Sequence, residues 1–157
     1  MKTLCLLWMI TVALWANELP VADHPYGVMA GDSRLDELGK DLEMPAVSET
    51  GLVQTTNYGG GFMMIHLDPI GAKFVDFVKT SSYPVLDIGS AFGVATIPAL
   101  KNSNCLVIAD DIGVDNLLIL RKQADQNDRL RLYLNSKRFP QELDFPANSL
   151  GAFNSMS

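Results

Sequence analysis

The residue types best suited to ligand binding lie in one short segment, "VLDIGSAFGVAT". A mostly apolar run there contains Asp87 and ends at Ile88. Four small residues occur in the turn after it: Gly89, Ser90, Ala91 and Gly93. Small residues allow backbone angles and close ligand approaches that larger side chains forbid. In parallel α/β sheets, the loop that follows the first strand is the usual ligand contact. We therefore predict that the apolar run is a buried strand and that a ligand loop follows it.

The glycine spacing separates several kinds of ligand loop. A P-loop requires a lysine directly after its last glycine, and the first lysine beyond this turn is Lys101. A dinucleotide loop requires its third glycine at the position of Val94, but the sequence has it one place earlier, at Gly93. A hydrolase elbow requires serine at the position of Ala91. The phosphate and hydrolase alternatives therefore fail, and a nicotinamide dinucleotide site is disfavoured but stays open.

A second acidic position follows the next apolar run, in "IADDIGVDNLL". Asp111 lies about 20 residues beyond Gly89, the separation at which an acid accepts the ribose hydroxyls of an adenosine in nucleotide-binding folds. Asp110 is the alternative residue for this role. The other interpretation is that these acids form a solvent-exposed turn that caps the next helix.

The pattern Asp87, Gly89, Ala91, Gly93 resembles the first motif of class I S-adenosylmethionine-dependent methyltransferases, in which an acid and one further residue precede GxGxG. Ala91 replaces the middle glycine. The resemblance implies that this loop passes under the amino-acid half of S-adenosylmethionine and that the acid organises the charged ends of that half. An uncharged loop suits this zwitterion better than it suits a polyphosphate. In the same family an acid after the second strand binds the ribose, and the resemblance implies this role for Asp111.

Two further segments extend the resemblance to about residues 54–157. "NSKRFP" aligns Asn135 and Ser136 with the Asp and Ala that follow the third strand of the family, which implies that the Asn135 amide oxygen accepts a hydrogen bond from the adenine amino group. "NYGGG" is similar to the YGG segment of small bacterial methyltransferases, which implies that Tyr58 and Gly59 border the cofactor. The sequence assigns no catalytic residue.

Helices and strands that would position these residues alternate along the chain. Asp68 followed by Pro69 predicts a helix start, with Ile70, Phe74, Val75 and Val78 at helical spacing. Buried strands are predicted in "YPVLDIG", "CLVIAD" and "LRLYLN", helices in "GVATIPAL" and "VDNLLILRKQAD", and the start of a fourth strand in "SLGAFNSMS". Short joints between them predict parallel strands with right-handed crossovers. The expected fold class is α/β, a doubly wound, Rossmann-like, three-layer and mostly parallel sheet.

The resemblance implies seven strands in the order 3, 2, 1, 4, 5, 7, 6, and the sequence reaches only the fourth. We therefore expect a truncated or degenerate methyltransferase, or a partner or dimer mate that covers the edge of the fourth strand. Two functions follow as hypotheses. The first is methyl transfer from S-adenosylmethionine to an unidentified acceptor. The second is an exported, non-catalytic binding protein that retains a nucleoside-binding crevice.

Composition limits the partners and suggests a domain organisation. The chain has 157 residues and a formal net charge of -6, so a broad basic face for nucleic acid is not expected.

Residues 1–16 resemble a cleaved signal peptide, which predicts an exported or secreted protein. An uncleaved anchor and a buried helix are the alternatives. Without export the protein would be cytoplasmic. Residues 17–67 are expected to form an extension with a glycine-rich loop and residues 68–157 the partial cofactor domain. No metal-ligand spacing is present, and Cys105 is expected to be a buried thiol.

Overall fold

The computed structural model describes residues 17–54 and 62–155. The predicted signal peptide, residues 1–16, lies outside this part of the chain, as do Tyr58 and Gly59 of the glycine-rich segment. These predictions therefore stay predictions. None of the helices in the described ranges is both long and apolar enough to cross a membrane.

The described residues form short strands and helices in alternation. The strands are β1 Val28–Met29, β2 Leu52–Gln54, β3 Phe62–Met64, β4 Val85–Ile88, β5 Val107–Asp110, β6 Leu132–Asn135 and β7 Ala152–Ser155. The helices are α1 Arg34–Leu38, α2 Pro69–Val78, α3 Thr96–Asn102, α4 Val114–Gln123 and α5 Gln126–Arg129. All four strands predicted for the sheet, and the helices between the first three of them, are present.

In the described residues, one five-stranded sheet has the order β1-β6-β5-β4-β7, and β2 and β3 form a separate antiparallel hairpin. The neighbours β6-β5-β4-β7 are all parallel, whereas β1 runs antiparallel to β6 at the edge. The predicted α/β class with a mostly parallel sheet is therefore confirmed. In prediction order these four strands run 3, 2, 1, 4, which agrees with the order that the resemblance implies for them.

Local sequence signals explain where two of the helices begin. The Asp68 carboxylate accepts a hydrogen bond from the Gly71 backbone N at 2.6 Å, which caps α2 as the Asp-Pro pair predicts. Pro98 lies in the first turn of α3, where its missing N–H leaves no hydrogen bond unmade. Ile70 is the exception to the apolar spacing in α2, because its side chain is 64% exposed.

Alternate residues of the central strands face two different layers. On one face, Val85, Val107 and Leu132 share a core with side chains from α2, α3 and α4. On the other face, Leu86, Ile108 and Tyr133 form a second core, with partly buried hydrophobics from segments outside those helices, including Tyr26, Leu143 and Phe145. Helices α2, α3 and α4 thus pack on a single face of the sheet in the described part of the chain, and a doubly wound, three-layer arrangement stays a prediction.

The predicted extension, residues 17–67, shares the sheet and the core of the following segment. Strand β1 adds to the edge of the sheet, and the buried Arg121 of α4 donates from Nε to the Ala30 carbonyl oxygen at 2.6 Å. Arg121 Nη2 also donates to the Asp36 carboxylate at 2.6 Å. The sequence did not predict β1, because two residues are too few to show an alternating pattern.

Candidate ligand-binding site

The loop after β4 has the backbone geometry that small residues permit. Gly89 and Gly93 have φ angles of +69° and +87°, and Ala91 between them has a φ of +42°. Left-handed angles are ordinary for glycine but cost an L-residue free energy, so the loop holds Ala91 in a strained conformation. A Cβ added at Gly93 would lie 2.8 Å from Leu120 Cγ of α4. Gly93 is therefore required both by its φ angle and by close packing on α4.

Asp111 links this loop to the segment after β5. Its Oδ2 accepts a hydrogen bond from the Ala91 backbone N at 2.9 Å. Its Oδ1 accepts from the Gly113 backbone N at 2.7 Å and from the Asn116 side-chain amide at 3.1 Å. The acid predicted to bind ribose thus lies directly against the loop predicted to bind the methionine half of the cofactor.

Asp87 is buried at the centre of the same edge, where it holds three elements together. Its Oδ2 accepts a hydrogen bond from Thr96 Oγ1 of α3 at 2.6 Å, and its Oδ1 accepts one from Asn154 Nδ2 of β7 at 2.8 Å. Only 1% of Asp87 is exposed, and this burial raises the pKa of its carboxyl. In this geometry Asp87 joins α3 and β7 to β4, and its contact with a ligand stays a prediction.

Asp110 is a second acid of the site whose pKa is raised. It ends β5 beside Ile88 of β4 and Asn135 of β6, and its Oδ1 has no hydrogen-bond partner among the described residues. Burial, with a smaller contribution from the neighbouring Asp111, raises the pKa of Asp110 to about 7. A perturbed acid at the carboxyl edge of a parallel sheet is a candidate functional group.

The remaining predicted residues lie at the same edge but differ in accessibility. Ser90 is buried, and its Oγ has no hydrogen-bond partner in the described residues. The Asn135 amide oxygen, predicted to bind the adenine amino group, accepts a hydrogen bond from the Lys137 backbone N at 3.0 Å. Asn135 and Ser136 line a cavity of about 140 Å³ together with residues of the N-terminal segment, including His24 and Gly27. The structure therefore brings the loop after β4 into direct contact with Asp111. Asn135 and Ser136, the residues predicted to meet adenine, lie beside β1.

The hairpin of β2 and β3 packs against the ligand loop. Phe92, which is 1% exposed, shares a small core with Val53 of β2 and Ile119 of α4, and Met63 of β3 packs on it. The chain between β2 and β3 includes Tyr58 and Gly59, outside the described residues. The two strands that flank them are thereby anchored on the loop.

Three side chains in these contacts were not predicted from the sequence. Thr96, Asn116 and Asn154 donate the hydrogen bonds that fix Asp87 and Asp111. The position of Thr96 beside the acid follows from the tight turn of the loop, and Asn154 reaches Asp87 only because β7 pairs with β4. Asn116 follows Asp115 and precedes the apolar run 117–120, so its position in the sequence does not signal its burial.

In residues 17–54 and 62–155, no group of three or more His, Cys, Asp and Glu residues could hold a metal ion. Cys105 is buried as predicted, and its thiol donates to the Ser81 carbonyl oxygen at 2.9 Å.

The chain matches no protein-family model, no curated protein and no solved structure. The resemblance to methyltransferases therefore rests on the motifs described above.

Proposed function

We propose that this protein binds S-adenosylmethionine at the carboxyl ends of β4, β5 and β6 and transfers the methyl group to an unidentified acceptor. In this proposal the sheet is part of a doubly wound, Rossmann-like fold. The hydrogen bond from the Ala91 N to the Asp111 carboxylate is the observation that carries it. It joins the two motifs that the ribose and the methionine half of one ligand would contact.

The acceptor capacity of Asp111 supports ribose binding. Each oxygen of an ionised carboxylate can accept about two hydrogen bonds. Oδ1 already accepts two, from Gly113 and Asn116, whereas Oδ2 accepts one from Ala91. The second acceptor position on Oδ2 can therefore take a ribose hydroxyl without breaking the contact between the two loops.

The charge of the edge supports a cationic ligand. Asp87, Asp110 and Asp111 lie close enough that the Asp111 charge raises the pKa of each of the other two. The loop from Gly89 to Ala95 carries no lysine or arginine. The raised pKa values of Asp87 and Asp110 favour their neutral forms, which leaves the Asp111 carboxylate as the negative group of this edge. S-adenosylmethionine carries a sulfonium and an ammonium against one carboxylate, so its net positive charge suits Asp111 better than the negative charge of a dinucleotide pyrophosphate does.

The alternative is a binding protein without turnover. Asn154 of β7 is 3% exposed and its Nδ2 donates to Asp87, so this side chain holds the buried acid of β4. On this alternative the crevice binds a nucleoside-containing ligand and transfers no methyl group. Export through residues 1–16 belongs to the same proposal, and the described residues do not bear on it.

Calorimetric titration with S-adenosylmethionine, and separately with NAD, tests the ligand class. We expect saturable binding of S-adenosylmethionine and weak or no binding of NAD. Saturable binding of NAD with no heat from S-adenosylmethionine at millimolar concentration would reject the proposal. Incubation with methyl-labelled cofactor and a panel of amine, hydroxyl and thiol acceptors then separates the two functions, because only a methyltransferase releases S-adenosylhomocysteine.

A further inference from the structure

The side chain of Asn116 lies where it controls the orientation of Asp111. Asn116 is in the first turn of α4 and is completely buried. Its Nδ2 donates to Asp111 Oδ1 at 3.1 Å, and the Gly113 backbone N donates to the same oxygen at 2.7 Å. The Ala91 N donates to Oδ2, so three hydrogen bonds together hold the rotation of the carboxylate, and Asn116 supplies the one from a side chain.

Gly113 is part of the same arrangement because of its missing side chain. A Cβ at this position would lie 2.7 Å from Asn116 Nδ2 and 3.1 Å from Asp111 Oδ1. The φ of Gly113 is -87°, an angle open to any residue, so backbone strain does not explain the glycine. The absence of a Cβ is what lets the Asn116 amide approach the carboxylate.

From this geometry we propose that Asn116, through the space left by Gly113, is a positioning residue that sets the selectivity of Asp111 for the ribose hydroxyls of the ligand. The inference rests on the proposed function and deepens it. Asn116 does not touch the ligand. It presents Oδ2 in the one rotation in which the carboxylate can bind the Ala91 N and a hydroxyl together.

The test compares two ligands that differ only in the hydroxyls, S-adenosylhomocysteine and its 2′,3′-dideoxy analogue. In the unmodified protein we expect at least about tenfold tighter binding of the ribose form, since hydrogen bonds to a charged group are among the stronger ones. In Asn116→Ala we expect this preference to fall to about threefold or less, with the affinity for the dideoxy analogue nearly unchanged. If Asn116 had a purely structural role, Asn116→Ala would weaken the binding of both ligands equally, and that result would overturn the inference.

Gly113→Ala provides a second variant that removes no side chain from the core. Its added Cβ displaces the Asn116 amide, so we expect the same loss of preference as in Asn116→Ala, and little further loss in the double variant. Retention of the full preference in Gly113→Ala would contradict the inference. Leu130→Ala is the control, because Leu130 is 60% exposed and precedes β6, at the opposite edge of the sheet, so both affinities should stay unchanged. If the unmodified protein binds neither ligand, the proposed function itself fails, which is a distinct result.

Discussion

Replacement of Gly93 by alanine tests the loop geometry with one methyl group. Gly93 has a φ of +87°, and its added Cβ would lie 2.8 Å from Leu120 Cγ and 3.1 Å from Ile97 Cγ1. An L-residue at a left-handed angle costs about 1–2 kcal/mol, and overpacking a core costs about 1–3 kcal/mol. We therefore expect Gly93→Ala to lower the free energy of unfolding by about 2–5 kcal/mol.

Urea unfolding followed by circular dichroism measures this change, and thermal unfolding should show a midpoint lower by about 5–15 °C. Gly31→Ala is the control, since its φ is not left-handed and its Cβ would meet Leu130 Cδ2 at 3.4 Å and the Arg129 carbonyl oxygen at 3.7 Å, which are ordinary contact distances. We expect that variant to stay within about 1 kcal/mol of the original protein.

A double-mutant cycle separates the two causes of the Gly93→Ala effect. Leu120→Ala removes the Leu120 Cγ and Cδ1 atoms that the new methyl would meet, although it costs about 2–5 kcal/mol by itself because Leu120 is fully buried. In the Leu120→Ala background, Gly93→Ala should cost about 1–3 kcal/mol less than in the original protein. A Gly93→Ala variant within about 0.5 kcal/mol of the original, or a cycle without coupling, would refute this account of the loop.

The remaining stability predictions concern the buried acids. Because the folded-state pKa of Asp110 is about 7, above its ordinary 3.8, the folded protein binds the proton more tightly, and stability should fall as pH rises from about 4 to about 7. Asp110→Asn should reduce this slope, to which the raised pKa of Asp87 also contributes, and should raise the thermal midpoint at pH 8 relative to the unmodified protein but not at pH 4; an unchanged slope would contradict the assignment. Thr96→Val deprives the buried Asp87 carboxylate of a donor at 2.6 Å and should cost about 1.5–3 kcal/mol in urea unfolding, whereas the exposed control Thr80→Val should cost less than about 0.5 kcal/mol. Equal effects of the two threonine variants would show that Thr96 is not a significant partner of Asp87.

Periodicity and capping predicted the central elements because local sequence decides them. The buried runs of β4, β5 and β6 lie between short joints and are apolar except for one polar residue each, Asp87, Asp110 and Asn135, which is close to the pattern of strands covered on both faces. The Asp68-Pro69 pair marked the start of α2 to the residue. The hairpin strands β2 and β3 were missed because each has three residues and depends on pairing with the other and on packing against Phe92.

The candidate site was only partly predictable because its contacts join distant parts of the chain. Sequence spacing placed Asp111 near the glycine loop, and the structure brings its Oδ2 to 2.9 Å from the Ala91 N. Spacing alone could not show that Asp87 is enclosed by Thr96 and Asn154, since that depends on the pairing of β7 with β4. Nor could it distinguish Asp110 from Asp111, whose side chains differ in hydrogen bonding although they are adjacent in sequence.

Calorimetric titration of Asp111→Ala with S-adenosylmethionine tests the central claim most directly. Asp144→Ala is the matched control, because it removes the same charge from an exposed position. We predict binding of about one ligand per chain to the unmodified protein and to Asp144→Ala, and at least tenfold weaker binding to Asp111→Ala. Equal binding by all three proteins, or no heat from the unmodified protein at millimolar ligand, would contradict the account.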